Sequence, residues 1–147
     1  MVSDPEGSPG FLLWHVTLRW QRAIVAALAP LELTHVQFVL LACTWWLNRQ
    51  GDHPSQIELA TVAGTDVKMT SQVVRSLEGK GLIGREPDAS DTRALRLKVT
   101  ARGARLAPRA IGVVESVDVA FFHGVREADA IAMLRTLADV RPAGAAR

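Results

Sequence analysis

The chain has 147 residues, a hydrophobic fraction of 48% and a formal net charge of +2, which suits one globular domain and leaves little room for a second. Its single cysteine, Cys43, excludes an internal disulfide and a cysteine-based zinc site. The longest uncharged apolar runs, 23–31 and 36–47, are shorter than the roughly 20 residues that cross a bilayer. Asp4 and Glu6 stand where a signal peptide would be basic, so we expect a cytoplasmic protein.

The first predicted element is a long helix from Phe11 to Ala29, which follows a segment over residues 1–10 that we expect to be flexible. Apolar residues occupy every side of this helix, and a helix that is apolar all round is buried on more than one side. In so small a chain, this pattern predicts that a second subunit covers part of the helix. Pro30 and Leu31 end it.

A second helix is predicted from Thr34 to about Asn48. Thr34 and Gln37 form a capping box, in which each side chain accepts a hydrogen bond from the other residue's free backbone amide. A polar loop over residues 49–54 follows this helix.

Two short helices joined by a tight turn come next. Ser55 and Glu58 form another capping box, and Gly64 ends the first of these helices. Thr65 or Asp66 can cap the second, since either side chain can accept from the free amides of the first turn. The turn between them is therefore expected at residues 64–66.

The second of these helices has two distinct faces and is closed by Lys80 and Gly81. The inward stripe recurs at helical spacing and comprises Thr70, Val73, Val74 and Leu77. The opposite side is rich in hydrogen-bond donors and comprises Lys68, Ser71, Gln72 and Arg75. An amphipathic helix with a donor-rich outer face is therefore predicted.

After Gly81 the apolar period changes from helical to two, which predicts a hairpin whose polar turn spans residues 88–93. Helix, turn, helix and hairpin in this order make a winged helix-turn-helix, an architecture that places its second helix in a DNA major groove. Residues 64–105 hold nine basic and five acidic side chains, a net +4, whereas residues 1–63 carry −2. The positive charge therefore lies where phosphate binding requires it.

Thr100 can cap a long final helix whose apolar residues have the spacing of an interhelical seam: Leu106, Ala110, Val113, Val117 and Phe121. Pro108 and Gly112 weaken this helix, and a kink is expected at Pro108. A shorter helix follows Gly124, and residues 141–147 are expected to form a flexible tail.

The predicted fold class is mainly α (α+β), a winged helix-turn-helix with N- and C-terminal dimerisation helices. We expect a single domain over residues 11–140, with the winged helix at about 34–100. The dimerisation helices are expected at about 11–29 and 100–140.

The chain resembles the multiple-antibiotic-resistance regulator (MarR) family of bacterial transcription factors over residues 11–140. The matching motifs are Leu33-Thr34 with Gln37-Phe38, Gln56-x-Glu58-Leu59-Ala60, Leu77-Glu78-x-Lys80-Gly81-Leu82-Ile83-x-Arg85, Asp88-x-x-Asp91-x-Arg93-Ala94, and Leu97-x-Val99-Thr100-x-x-Gly103. The resemblance implies a homodimer that binds a palindromic operator in double-stranded DNA, often with release by a small-molecule effector.

The sequence departs from the family pattern at two positions. Arg126 stands where the last helix is usually capped by serine or a similar residue, and Gln72 stands where many members have arginine. Base preference therefore does not transfer. The chain also has no cysteine near the start of its first helix and no tyrosine, so the mechanism of the organic-hydroperoxide sensors in this family does not carry over.

The candidate DNA-binding residues lie on the second helix of the motif and on the hairpin: Lys68, Thr70, Ser71, Gln72, Arg75, Arg85, Ser90, Asp91, Arg93 and Arg96. Gln72 can pair with adenine, and Arg75 with guanine or phosphate. Arg93 suits a narrow minor groove, held by Asp91 and also by Asp88. The alternatives are a merely solvated helix face and a salt bridge confined to the wing.

Candidate effector-binding residues are Trp14, His15, Trp45 and Trp46, since an apolar crevice with a few polar groups suits a small aromatic ligand. The alternative is that the aromatic residues are simply core and dimer interface. His15 and His35 lack the spacing of metal ligands, and Cys43 is expected to be a buried, inert thiol.

These patterns predict a DNA-binding transcriptional regulator, a homodimeric repressor released by a lipophilic or aromatic effector. The alternative is a winged-helix module that binds protein and lacks specific DNA binding. The sequence holds no nucleophile–base pair, phosphate-binding glycine loop or metal cluster, so we expect neither enzymatic activity nor a cofactor.

Overall fold

A computed structural model describes residues 4–91 and 93–138, which form six α-helices and one two-stranded sheet. In chain order the elements are α1 (Pro9–Leu28), α2 (His35–Arg49), α3 (Gln56–Ala63), α4 (Val67–Gly79), β1 (Ile83–Pro87), β2 (Leu95–Val99), α5 (Ala101–Phe121) and α6 (Glu127–Ala138). Short 3₁₀ turns at Pro5–Gly7 and Ala29–Leu31 flank α1. The predicted mainly α fold with a winged helix-turn-helix is confirmed, and the tail predicted at 141–147 lies outside the described residues.

Helix α1 begins two residues earlier than the sequence indicated. The Ser8 hydroxyl accepts a hydrogen bond from the amide of Phe11, and Pro9 occupies the first helical position, where its missing N–H costs nothing. Within the segment 1–10, Pro5–Gly7 form a 3₁₀ turn and Pro9 and Gly10 begin α1. The capping box of α2 is confirmed, because Thr34 and Gln37 accept from each other's amides at 3.2 and 3.0 Å.

The predicted turn joins helices α3 and α4. The Ser55–Glu58 capping box is present, and Gly64 has a φ of 71°, a left-handed conformation that suits glycine. Of the two candidate caps, Asp66 is the N-cap of α4, and its Oδ1 accepts from the amide of Met69 at 2.8 Å. Thr65 instead places its hydroxyl 2.7 Å from that of Thr70, and this contact ties the turn to the inner face of α4.

The hairpin is antiparallel, with Ile83 opposite Val99 at its base and Pro87 opposite Leu95 at its tip. The other edge of β2 is also paired, since the Leu97 amide donates to the Pro54 carbonyl at 2.8 Å. The hairpin, which we call the wing, is therefore attached along β2 to the loop that follows α2.

Helix α5 runs without interruption through Pro108, whose ring lies on the exposed side. Thr100 caps it as predicted, accepting from the Gly103 amide at 3.0 Å. A Cβ at position 103 would lie 2.0 Å from the carbonyl oxygen of Leu82, so only glycine allows this close approach of α5 to the start of the wing.

The core is built from the inward faces of α1, α2, α3, α4, β2 and α5, and its fully buried side chains include Ile24, Leu28, Leu40, Leu41, Leu59, Val74, Leu77 and Leu97. The first turns of α1 and much of α6 lie outside this core. Their large apolar side chains are exposed: Phe11, Leu12, Leu13, Trp14, Ile131, Met133, Leu134 and Leu137. Among the residues described, no single helix is long and apolar enough to cross a membrane. Helices α1 and α2 reach the necessary length and apolar composition only when they are taken together, and this pair is bent by 73°.

Candidate nucleic-acid interface

The outer face of α4 presents hydrogen-bond donors to solvent. Lys68, Gln72 and Arg75 are exposed, and Ser71 is half-buried beside them. These positions are three or four residues apart, so their side chains share one side of the helix. The Arg75 guanidinium donates to the Ser71 hydroxyl at 3.3 Å, which leaves most of its donors free.

Thr70 belongs to the inner face of α4, and its candidacy as a DNA contact is wrong. Its relative exposure is 0%, and its hydroxyl donates to the Asp66 carbonyl at 2.7 Å while lying the same distance from the Thr65 hydroxyl. Of the two sequence predictions that included Thr70, the inward helical stripe is the one that agrees with the structure. Thr70 stabilises the turn that starts α4.

Arg93 is the most exposed cation of the wing, with 94% of its side chain accessible. Asp91 lies beside Arg93 as predicted. Its Oδ1 accepts a hydrogen bond from the Arg93 backbone amide at 3.0 Å and lies 3.7 Å from the Nε of the Arg93 guanidinium. The expectation that Asp88 also holds Arg93 is wrong, because the Asp88 carboxylate accepts from Ser90 and Arg96. Arg93 therefore projects from the wing, and among the described residues Asp91 is the acidic side chain that pairs with it.

A chain of charged groups fixes the tip of the wing to α3. Arg96 donates through Nε to Asp88 at 2.6 Å and through Nη1 to Glu58 at 2.9 Å. The amide of Ser90, followed by the guanidinium of Arg96, holds the pKa of Asp88 well below its usual range. Arg96 also lowers the pKa of Glu58. With 30% of its side chain accessible, Arg96 has the contacts of a residue that positions the wing.

Arg85 holds the base of the same surface together. Its Nε donates to Glu78 on α4 at 2.9 Å, and its Nη2 donates to Gln56 on α3 at 3.2 Å. Only 27% of the Arg85 side chain is accessible. Arg85, one of the candidate DNA-binding residues, is thus engaged in joining α3, α4 and β1.

Asn48 at the end of α2 is a positioning residue that the sequence did not reveal. Its Oδ1 accepts from the Val99 amide at 2.9 Å, and its Nδ2 donates to the Leu97 carbonyl at 3.2 Å. These partners lie about fifty positions further along the chain, and no local pattern marks such a bond. Glu58 did carry a local signal, as part of a capping box, but that signal does not indicate its second bond to Arg96.

The four candidate effector residues are spread along α1 and α2 of this chain, and their role in effector binding stays a prediction. The break between α1 and α2 bends the chain by 73°. Trp14 lies near the outer end of α1 and Trp45 near the outer end of α2, roughly 30 Å apart at 1.5 Å per helical residue. Trp14 is 63% exposed beside His15, whereas Trp45 packs against the Arg49 guanidinium 5.0 Å away and Trp46 faces solvent.

A groove of about 490 Å³ lies instead where α1 and α2 meet the turn between α3 and α4. Its lining mixes polar and apolar side chains: Gln21, Thr34, His35, Val36, Val39, Ala63 and Thr65. The His35 ring packs edge-on against Trp20 at 5.1 Å, and the Trp20 indole donates to Asp118 at 2.8 Å. Burial lowers the pKa of His35 despite the opposing effect of Asp118, which favours the neutral form of the imidazole.

Other groups offer little chemistry. Burial raises the pKa of the Cys43 thiol, which disfavours the reactive thiolate. Within 4–91 and 93–138, no cluster of three or more histidine, cysteine or acidic side chains could hold a metal ion.

Comparison with known proteins agrees with this geometry. The profile of the MarR family matches residues 33–95, which run from just before α2 to the first residue of β2. Over 120 residues the chain is 44% identical to the uncharacterized HTH-type transcriptional regulator YdcH of Bacillus subtilis strain 168, and the match covers 82% of each chain. The chain belongs to the MarR family. It is thus a DNA-binding transcriptional regulator by family, and this family is not one of enzymes.

Two further MarR-family relatives extend the match. The HTH-type transcriptional repressor Rv2887 of Mycobacterium tuberculosis is 37% identical over 109 residues, which are 74% of this chain and 76% of that one. The crystal structure of CouR from Rhodococcus jostii RHA1, bound to p-coumaroyl-CoA, superposes with a TM-score of 0.81 at 27% identity and covers 92% and 93% of the two chains. The MarR fold therefore extends over nearly the whole chain, including α1, α5 and α6.

Proposed function

We propose that this regulator is a homodimeric, cytoplasmic repressor that reads a palindromic operator with α4 and the wing of each protomer. The observation that carries the proposal is the pairing of an exposed donor face on α4 with an exposed Arg93 on a wing fixed in place beside it. Its relative Rv2887 is named a transcriptional repressor, which supports the direction of regulation.

The side chains divide into those that contact DNA and those that hold the contacts in position. Gln72 and Arg75 face base edges in the major groove, and Arg93 enters the adjacent minor groove, where negative potential is enhanced. Lys68 and Ser71 contact phosphates, which set register and carry no sequence information directly, whereas the Ser90 hydroxyl donates to Asp88 within the wing turn. Arg85, Asp91 and Arg96 position these contacts through the ion pairs described above.

The dimer is proposed to form through α1, α5 and α6. The exposed apolar side chains of α1 and α6 would leave a large unpaired apolar surface on a monomer, and such a surface marks an interaction site. A two-fold dimer sets its recognition helices one DNA turn apart, about 34 Å. With three or four phosphate contacts per protomer, the logarithm of affinity should fall against the logarithm of salt with a slope on the order of −5 to −7.

The effector site is proposed to be the groove beside α2. Ala63 and Thr65 line this groove at the turn that begins α4, and Thr65 is hydrogen-bonded to Thr70 inside that helix. A ligand that favours a wider groove would therefore shift the start of α4 and move the two recognition helices off their half-sites. The neutral His35 and the apolar walls suit a small aromatic or lipophilic molecule with one polar group, and CouR, which shares the fold, binds an aromatic acyl thioester.

Selection of DNA from a random pool, followed by sequencing, tests this proposal. We expect an enriched palindrome whose half-sites are centred about one helical turn apart. Enrichment of an unpaired half-site would contradict the dimeric reading, and no enrichment at all would contradict specific DNA binding. A thermal-shift screen with aromatic acids and their thioesters tests the effector separately, because a ligand that binds only the folded state raises the unfolding temperature.

A further inference from the structure

We propose that Val67 and Met69, in the first turn of α4, recognise thymine methyl groups in the operator half-site. This inference rests on the proposed insertion of α4 into the major groove. It adds an apolar component to base reading by Gln72 and Arg75, and it makes a specific statement about which bases the half-site contains.

The first turn of α4 exposes apolar surface beside its donors. Val67 is 50% exposed and Met69 is 37% exposed, although neither fills the core. Val67 lies four residues before Ser71, and Met69 lies three residues before Gln72, so the two apolar side chains flank the stripe formed by the donors. Other residues pack the inner face of α4 against the core, including the fully buried Val74 and Leu77.

The N-terminal turn of a recognition helix is the part that contacts base edges. The backbone amides at this end of α4 do not favour a phosphate, because the Asp66 carboxylate already accepts from the Met69 amide at 2.8 Å and would repel a second anion. Phosphate contact in this turn is therefore left to the Lys68 side chain. The turn therefore faces the bases with apolar side chains. In the major groove, the apolar feature that a base pair presents is the thymine C5 methyl group.

The two side chains differ in how they can make this contact. Val67 is β-branched and strongly restricted in its side-chain torsion within a helix, so its methyl groups are held in one direction. Met69 is unbranched and adapts its shape to the surface it meets. We therefore expect Val67 to specify one thymine strictly and Met69 to tolerate more variation at a neighbouring position.

The test replaces thymine by deoxyuridine in the selected operator, one position at a time and then symmetrically in both half-sites. Uracil keeps the hydrogen-bonding edge of thymine and lacks only the methyl group. At about 0.8 kcal/mol per buried methyl or methylene, each contacted methyl should be worth roughly fourfold in Kd, or about 15-fold for a symmetric pair. Fluorescence anisotropy at fixed salt measures these changes.

Variants of the protein test the same contacts from the protein side of the interface. Val67→Ala and Met69→Ala should each bind the thymine operator more weakly than the original chain, and each should lose the discrimination against uracil at the thymine that the missing side chain contacts. The double variant should no longer distinguish the thymine operator from the uracil operator. Val62→Ala is the matched control, because it also removes two exposed methyl groups but from α3, and it should keep the full discrimination. Val67→Thr, which retains the side-chain shape, separates loss of apolar contact from any local unfolding, and circular dichroism checks the fold of every variant.

The outcomes separate this inference from the proposed function. An operator that is selected and bound tightly, but whose affinity does not change with uracil at any position, overturns the role of Val67 and Met69 and leaves the DNA-binding proposal intact. Half-sites without thymine would overturn it in the same way. If no DNA is selected at all, the proposed function itself fails.

Discussion

The recognition helix and the wing lie side by side but are held by different kinds of interaction. Helix α4 is fixed by an Asp66 cap and by the burial of Val74 and Leu77. The tip of the wing is fixed by the polar chain from Glu58 through Arg96 to Asp88. The proposed base-reading element therefore depends on packing, and the proposed minor-groove element depends on charged groups at the surface. The two should consequently be separable by mutation.

The largest effect is expected from breaking the packing of α4. Leu77→Ala removes a fully buried side chain and should lower the free energy of unfolding by about 2–5 kcal/mol. Chemical denaturation followed by circular dichroism measures this change. Ile57→Ala, an exposed apolar control on α3, should change stability by no more than about 0.5 kcal/mol. A small effect of Leu77→Ala would show that α4 is not held by the core.

The next effect concerns DNA affinity without a change in stability. Arg75→Ala and Arg93→Ala should each weaken operator binding by about 1–3 kcal/mol, and the double variant by about their sum, because the two arginines act in different grooves. The thermal midpoint should stay unchanged, since both side chains are exposed.

Arg109→Ala is the control for this pair, because Arg109 is an exposed arginine on α5, outside the winged helix. Unchanged DNA binding by the double variant would favour the alternative of a protein-binding winged helix.

A smaller effect should follow from releasing the wing without removing its DNA contact. Arg96→Gln breaks the bonds to Asp88 and Glu58, and it should weaken operator binding less than Arg93→Ala does. Overall stability should fall only slightly, because both pairs lie near the protein surface, where ion pairs contribute little. Hydrogen exchange at the Ala94 amide, which donates within the wing turn, should become faster.

Lys98→Gln, which removes the exposed pair with Glu86, is the matched change on the same strand. Equal exchange rates in the Arg96→Gln and Lys98→Gln variants would contradict the role assigned to Arg96.

The smallest expected effect is a dependence of protein stability on pH, and it differs between the wing and the groove. The pKa of Asp88 is lowered, so its stabilising contribution is complete above the unfolded-state value of 3.8 and is lost only as pH falls below it. The pKa of His35 is lowered from 6.5 by burial, so the unfolded chain binds more protons and stability should fall as pH drops through 6.5. Thermal midpoints at pH 7.5 and 5.5 should therefore differ, and His35→Gln should reduce the difference.

A pH effect that persists undiminished in His35→Gln would point to another titrating group.

Much of α4 could be predicted from the sequence, because its determinants are local. The cap, the inward stripe through Leu77 and the closing glycine all lie within one helix length, and helical spacing alone assigns Thr70 to the inner face. The same periodicity identified the donor face of Lys68, Gln72 and Arg75. Local physics thus defines which side chains the helix presents.

The wing and the effector site were less predictable, because they depend on contacts between distant segments. Arg85 and Arg96 are basic residues in a basic lobe, and only the folded chain shows that each is engaged by a carboxylate. Sequence also placed Trp14 and Trp45 in one cluster, since it does not reveal the angle between α1 and α2. In the folded chain, the candidate groove lies beside His35 and Thr65 instead.

Hydroxyl-radical footprinting of the selected operator, with the original chain and with Arg93→Ala, tests the central claim most directly. The account predicts two symmetric sets of protected positions, with the minor-groove protection beside each half-site lost in Arg93→Ala and the protection over the α4 contacts retained. A footprint without two-fold symmetry, or one that Arg93→Ala leaves unchanged, would contradict it.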